Sequence, residues 1–123
     1  CIAHAGEGTT PQHILDAIAH LAPSRIGHGI SCIEDPMCVH TLIQSQIPLE
    51  VCPWSNIAMG ITPADEHPLK HMWSSGLDVV IASDDPGIFG KSLTDNYLLA
   101  WTLGLALEDL KRLAARSLEL SGY

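Results

Sequence analysis

An α/β fold of about four βα units is what this sequence predicts, and three observations predict it. Four short apolar runs show little polar alternation: Cys1-Ile2-Ala3, Ile26-Gly27, Leu49-Glu50-Val51-Cys52 and Val79-Val80-Ile81-Ala82. Runs of this kind suit strands buried on both faces of a parallel sheet. They recur at the spacing of βα units, which take ~30 residues each. His4 to His28 is 24 positions, His28 to Cys52 is 24 and Cys52 to Asp84 is 32. Each run then ends in polar residues: His4-Ala5-Gly6-Glu7, His28-Gly29, Pro53-Trp54-Ser55-Asn56 and Ser83-Asp84-Asp85-Pro86. Chemistry gathered at the carboxyl ends of parallel strands is how a (β/α)8 TIM barrel builds a site. A complete barrel takes ~250 residues, and the chain has 123. The expectation is therefore the carboxyl-terminal half of a (β/α)8 barrel, residues 1–123 forming a partial domain whose amino-terminal half is absent. Such a piece would expose two sheet edges and one flank of the barrel interior, and should aggregate or dimerise alone.

The elements follow in order. The first strand runs into His4, and Gly6 to Thr10 is a loop. Thr10-Pro11 starts a helix, with Thr as N-cap and Pro in the first turn. Ile14, Leu15, Ile18 and Leu21 give it an apolar stripe, and Pro23-Ser24 closes it. The second strand, Arg25 to His28, leads to Ser31 and Cys32. A helix starts near Asp35-Pro36 and runs to about Gln46, and Pro48 begins the third strand. Pro53 to His67 reads as a long irregular loop. His67-Pro68 starts a short helix ending at Gly76. The fourth strand is about Asp78 to Ser83, followed by a loop until about Leu93. Thr94 caps a helix through Leu103. A last helix, about Ala106 to Leu120, carries Leu107, Leu110, Leu113, Ala114 and Leu118 on one face.

Composition narrows the function. A hydrophobic fraction of 46% supports a real core. A net charge of −8 with only six Lys and Arg argues against a nucleic-acid groove. No apolar stretch is long enough to span a membrane, and no signal peptide is visible, so a soluble, cytoplasmic protein is expected. The four cysteines form no C-x-x-C pair and read as reduced core residues. A nucleophilic Cys52 has no base beside it in sequence.

The strand-end residues are two histidines, a glutamate and two adjacent aspartates, a set suited to a divalent metal and a water to be activated. His4 and Asp84 are the candidate metal ligands, although a strand-end His also bonds backbone carbonyls. Glu7, three residues past His4, would reach a substrate and exchange a proton with it, or else would simply favour a helix N-terminus. Gly6 permits close approach of a ligand. His28 has room between Gly27 and Gly29 to polarise a water. Asp84 and Asp85 point in different directions, so one can meet metal and the other a ligand N–H; Asp85 also suits a turn before Pro86-Gly87. His13, His20, His40, His67 and His71 read as surface groups or as groups behind the site. Trp54 reads as pocket-lining, and Trp73 and Trp101 as packing residues.

Taken together, His4-Ala5-Gly6-Glu7, Arg25-Ile26-Gly27-His28-Gly29, Glu50-Val51-Cys52-Pro53-Trp54-Ser55-Asn56, His67-Pro68-Leu69-Lys70 and Ser83-Asp84-Asp85-Pro86 resemble the adenosine deaminase family of metal-dependent hydrolases. The resemblance covers essentially the whole chain. It implies one zinc ion held by His4 and Asp84 with two further histidines from a His-x-His pair that this chain lacks. It implies that Glu7 donates a proton to purine N1, that His28, helped by Asp84, positions and activates the attacking water, and that Asp85 accepts a hydrogen bond at N7. The implied reaction is deamination of adenosine to inosine and ammonia, with a small purine as the partner. Adenine or another aminopurine is the alternative substrate. A reading of another class is an incomplete barrel without activity of its own.

Overall fold

The computed structural model describes residues 1–122. Four strands, β1 (Ile2–Ala5), β2 (Arg25–His28), β3 (Leu49–Val51) and β4 (Val79–Ile81), form one parallel sheet in the order β1-β2-β3-β4. Helices α1 (Pro11–Leu21), α2 (Pro36–Ser45), α3 (Pro53–Ala58), α4 (Leu69–Ser74), α5 (Pro86–Phe89), α6 (Leu93–Thr102) and α7 (Leu107–Ser121) connect and follow them. Short 3-10 turns occupy Ile30–Glu34 and Ala64–Glu66. Consecutive parallel strands joined through helices form one sector of a TIM barrel.

The strand register sorts the side chains into two faces. Ala3, Ile26, Leu49 and Val79 align across the sheet, as do Val51 and Ile81. These residues are buried and join Ile14, Cys38, Leu42, Met72, Ala100 and Leu113 in the core beneath the helices. The other face carries Ile2, His4, Arg25, Gly27, Glu50 and Val80. Ile2 is 46% exposed and His4 is exposed. Helices cover one face of the strands; the other, the flank of the barrel interior expected to be exposed, is open at Ile2 and His4, although Val80 on it is buried. On the open face Arg25 donates to Glu50 Oε1 at 2.7 Å, linking β2 to β3.

Helix starts follow sequence chemistry closely. Pro stands in the first turn of α1, α2, α3 and α5, where its missing N–H costs nothing. Asp35 caps α2 through the Met37 N–H. Helix α6 is capped by Ser92 in a reciprocal box with Asp95, two residues before the expected Thr94. The Asp95 carboxyl is held below its ordinary value by those Ser92 hydrogen bonds.

Several expectations are corrected. The stretch from Pro53, read as an irregular loop, begins with helix α3: Pro53 starts it and buried polar side chains hold it. Pro86–Phe89 is a short helix where a loop was expected. Helix α7 buries Leu113, whereas Leu107, Ala114 and Leu118 are exposed; Arg116 instead ties it to the sheet with a two-pronged contact on Asp78, at 3.0 and 2.6 Å. Trp101, expected to pack, is 64% exposed. Cys32, Cys38 and Cys52 are buried free thiols, but Cys1 is exposed.

Candidate active site

The site is assembled at the carboxyl rim of the sheet. Strand β1 brings His4 onto the open face opposite Gly27 of β2. Gly27 makes the pairing possible, because a Cβ there would stand 3.0 Å from His4 Cδ2 and 3.2 Å from its Nε2. The His4 and His28 rings are 5.3 Å apart, tilted by 44°.

After β1 the chain turns at Gly6, whose φ is +73°. A side chain at Gly6 would collide with Ile14 Cδ1 at 2.5 Å, so packing against α1 by itself demands glycine. The turn delivers Glu7. Its Oε2 lies 3.3 Å from His28 Nε2, and its Oε1 is buried without a hydrogen-bond partner. A buried carboxylate oxygen left unpartnered is costly, and it offers a contact to an incoming group.

Strands β2 and β4 end with a backbone departure. His28 has φ +66° and Asp84 has φ +57°. Left-handed backbone is uncommon for residues other than glycine and gathers at functional sites. Ala22 and Gln46 also adopt it, at the ends of α1 and α2, whereas His28 and Asp84 face each other, with His28 Nε2 and Asp84 Oδ2 4.0 Å apart. The Ser55 hydroxyl donates to the same Asp84 oxygen at 2.6 Å. Burial pushes the His28 pKa down, outweighing the nearby carboxylates of Glu7 and Asp84.

Behind His28 lies a buried polar chain. The Asn56 amide meets His28 Nδ1 at 3.2 Å, His67 Nε2 meets Asn56 Oδ1 at 3.0 Å, and the Leu69 main-chain N–H donates to His67 Nδ1 at 3.2 Å. Burial pushes His67 down to about 4.

Sequence reasoning expected His4, Glu7, His28, Asp84 and Asp85 at one rim. Glu7, His28 and Asp84 lie within 4.0 Å through His28, and His4 stands beside His28. Asp85 follows Asp84 as an exposed residue at the N-cap of α5, without capping it by its side chain. Sequence reasoning missed Ser55 and Asn56 as individual groups; His67 takes the second of its two expected places, behind the site. Of the five helix-side histidines, His13, His20, His40 and His71 are exposed, whereas His67 is buried. The signal was present in the polar pair Ser55-Asn56 beside an apolar run. Trp54 anchors α3 to α6, its indole N–H donating to the Asp95 carbonyl at 3.1 Å.

The His4 imidazole and the Asp84 carboxylate are donor types that bind zinc. Ligating atoms of His28, Cys52 and Asp84 lie within 4.8 Å of one another, and imidazole, thiolate and carboxylate all bind zinc. His4 falls outside that group. Cys52 is a poor thiolate in the bare site: burial, then the charges of Asp84, Glu50 and Glu7, push it up to about 12.

Imidazole and carboxylate groups thus meet at the carboxyl rim of this parallel sheet, and comparison with known proteins gives the family. The adenosine deaminase family model matches residues 1–122, and the chain belongs to that family. An adenine deaminase from Chlorobium phaeobacteroides (strain BS1) is 43% identical over 122 residues, 98% of this chain and 36% of the relative. An aminodeoxyfutalosine deaminase from Streptomyces coelicolor is 44% identical, over 98% of this chain and 32% of the relative. The crystal structure of an adenine deaminase from Arthrobacter aurescens superposes with a TM-score of 0.89 at 41% identity, over 96% of this chain and 37% of that one. The chain thus spans about a third of the length of the curated relatives it matches. No helix among the described residues is long and apolar enough to cross a membrane.

Proposed function

We propose that the whole protein carrying this chain is a zinc-dependent hydrolytic deaminase of a 6-aminopurine. The observation that carries this reading is the trio Glu7, His28 and Asp84 around one point at the sheet's carboxyl rim. His4 and Asp84 hold the metal, together with two further histidines from outside this chain. Zinc, when bound, supplies a Lewis acid that makes water a nucleophile near neutral pH.

The chain's own residues do the rest. Glu7 gives a proton to purine N1 and so makes C6 electrophilic. The Asp84 carboxylate takes a proton from the water as its oxygen adds to C6, giving a tetrahedral carbon. His28 orients the attacking oxygen. Asp85 hydrogen-bonds the purine at N7. Asp84 passes the water's proton to the exocyclic amine, the C6–N bond breaks and ammonia leaves, and the C6 hydroxyl proton returns to Glu7, leaving the 6-oxopurine.

Adenosine is the substrate the motifs first suggest. Adenine stands ahead of it, because the similar proteins from Chlorobium phaeobacteroides and Arthrobacter aurescens are adenine deaminases. Ammonia release from adenine, adenosine and other 6-aminopurines by the whole zinc-loaded protein tests the reading. Turnover of at least one is expected, and none from any would reject it. The 123-residue chain alone is proposed to be inactive, since the face carrying His4 is open; turnover by the purified piece would overturn that.

A further inference from the structure

We infer that Asn56 and His67 are positioning residues that lock His28 as its Nε2–H tautomer, so that it faces the reacting centre as a hydrogen-bond donor and is not a metal ligand.

The direction of the buried chain is set at its far end. A main-chain amide only donates, and the Leu69 N–H points at His67 Nδ1, 3.2 Å away. That nitrogen therefore presents its lone pair. With His67 held neutral by burial, its single ring proton is on Nε2, which donates to Asn56 Oδ1 at 3.0 Å. This fixes the amide's orientation, which Asn by itself leaves open. The Asn56 NH2 must then be the group facing His28, and it donates to Nδ1 at 3.2 Å. With Nδ1 accepting, neutral His28 carries its proton on Nε2. The groups that nitrogen faces, Glu7 Oε2 at 3.3 Å and Asp84 Oδ2 at 4.0 Å, are both acceptors. Reversing any link would set an N–H against an N–H in a site where Asn56 is fully buried, His28 is 2% exposed and His67 is 5% exposed.

Two consequences follow. A nitrogen that carries a proton has no lone pair for an ion. His28 is thus excluded from the ligand set despite its place beside Cys52 and Asp84. A donor also cannot accept the proton of the attacking water, which leaves that task to Asp84. The second consequence rests on the deaminase reading; the tautomer does not.

The test uses the whole zinc-loaded protein labelled with 15N-histidine. A long-range proton–nitrogen correlation spectrum at neutral pH reads which ring nitrogen of His28 is protonated, with His28→Gln assigning the signals. The wild type is expected to show a protonated Nε2 and an unprotonated Nδ1. In Asn56→Asp the new carboxylate only accepts, so the spectrum should show Nδ1 protonated. Turnover should then fall ~10²–10⁴-fold, the scale of losing a correctly poised acid–base group, while KM and zinc content hold, because Asn56 touches neither substrate nor metal. His67→Gln keeps a donor toward Asn56 Oδ1 and should keep the wild-type tautomer. Nδ1–H in the wild type, an unprotonated Nε2 bound to zinc, or an unchanged tautomer in folded Asn56→Asp would each overturn the inference. If Asn56→Asp does not fold, the wild-type and His67→Gln spectra still decide it. The expected spectra with no aminopurine turnover in the wild type would uphold the tautomer and reject the deaminase reading.

Discussion

Gly27→Ala places a methyl group against the His4 ring and removes no polar group of the site. The new Cβ would stand 3.0 Å from Cδ2, 3.2 Å from Nε2 and 3.3 Å from Cγ. An unstrained carbon–carbon contact needs ~3.5 Å or more, so the ring must retreat by about 0.5 Å. That equals the ~0.5 Å within which a working constellation must be held. A displacement of ~1 Å costs ~10²-fold, and half of that distance costs about tenfold. Gly27 does not lie in the left-handed region, so alanine adds no backbone strain and stability should change by less than about 1 kcal/mol. Gly76→Ala is the matching control: its φ is +85° with nothing within 4 Å, so it should cost about 1–2 kcal/mol of stability and no activity. The assays are zinc affinity by chelator competition, kcat/KM with a 6-aminopurine, and denaturant unfolding of the whole protein. Wild-type zinc affinity and turnover in folded Gly27→Ala would refute the placement of His4 as a ligand.

Three further outcomes are expected. Glu7→Gln should lower kcat by ~10²–10⁴-fold, because an amide has no acidic proton to give; steady-state kinetics checks it, and unchanged kcat would remove Glu7 from the chemistry. Ser55→Ala removes the hydroxyl that donates to Asp84 Oδ2 at 2.6 Å and should cost about 10–100-fold in turnover or zinc affinity, the scale of losing a partner that orients a ligand. Stability should fall on acidification: His67 titrates at about 4 when folded, against 6.5 as its ordinary value, so between these limits the unfolded chain binds more protons. The stabilisation is whole above about pH 6.5, is lost as pH drops toward 4, and amounts to about 3 kcal/mol. His67→Gln should flatten that slope in unfolding curves taken from pH 7 to pH 4, leaving the part due to His28, whose pKa is shifted the same way.

The strands and the polar ends that carry His4, Glu7, His28 and Asp84 were legible because both signals are local: an apolar run, then a polar cluster. Helix α3 was not, since Pro53, Gly60 and Pro63 look like loop punctuation and Ser55 and Asn56 are weak helix formers. Their burial is explained only by partners far along the chain, Asp84 for Ser55 and His28 and His67 for Asn56. His67, next to a proline at a helix start, carries no periodic mark of burial. The exposed side chains of α7 misled in the opposite way: Leu107 and Leu118 keep helical spacing, yet Arg116 and Leu113 make its attachment to β4.

Diffraction from the whole zinc-loaded protein, collected across the zinc absorption edge, tests the shared centre most directly. One anomalous peak should lie within bonding distance of His4 and Asp84, with Glu7 and His28 nearby and unbonded to it. A peak bonded to Cys52 and His28, or one remote from His4, would contradict the account.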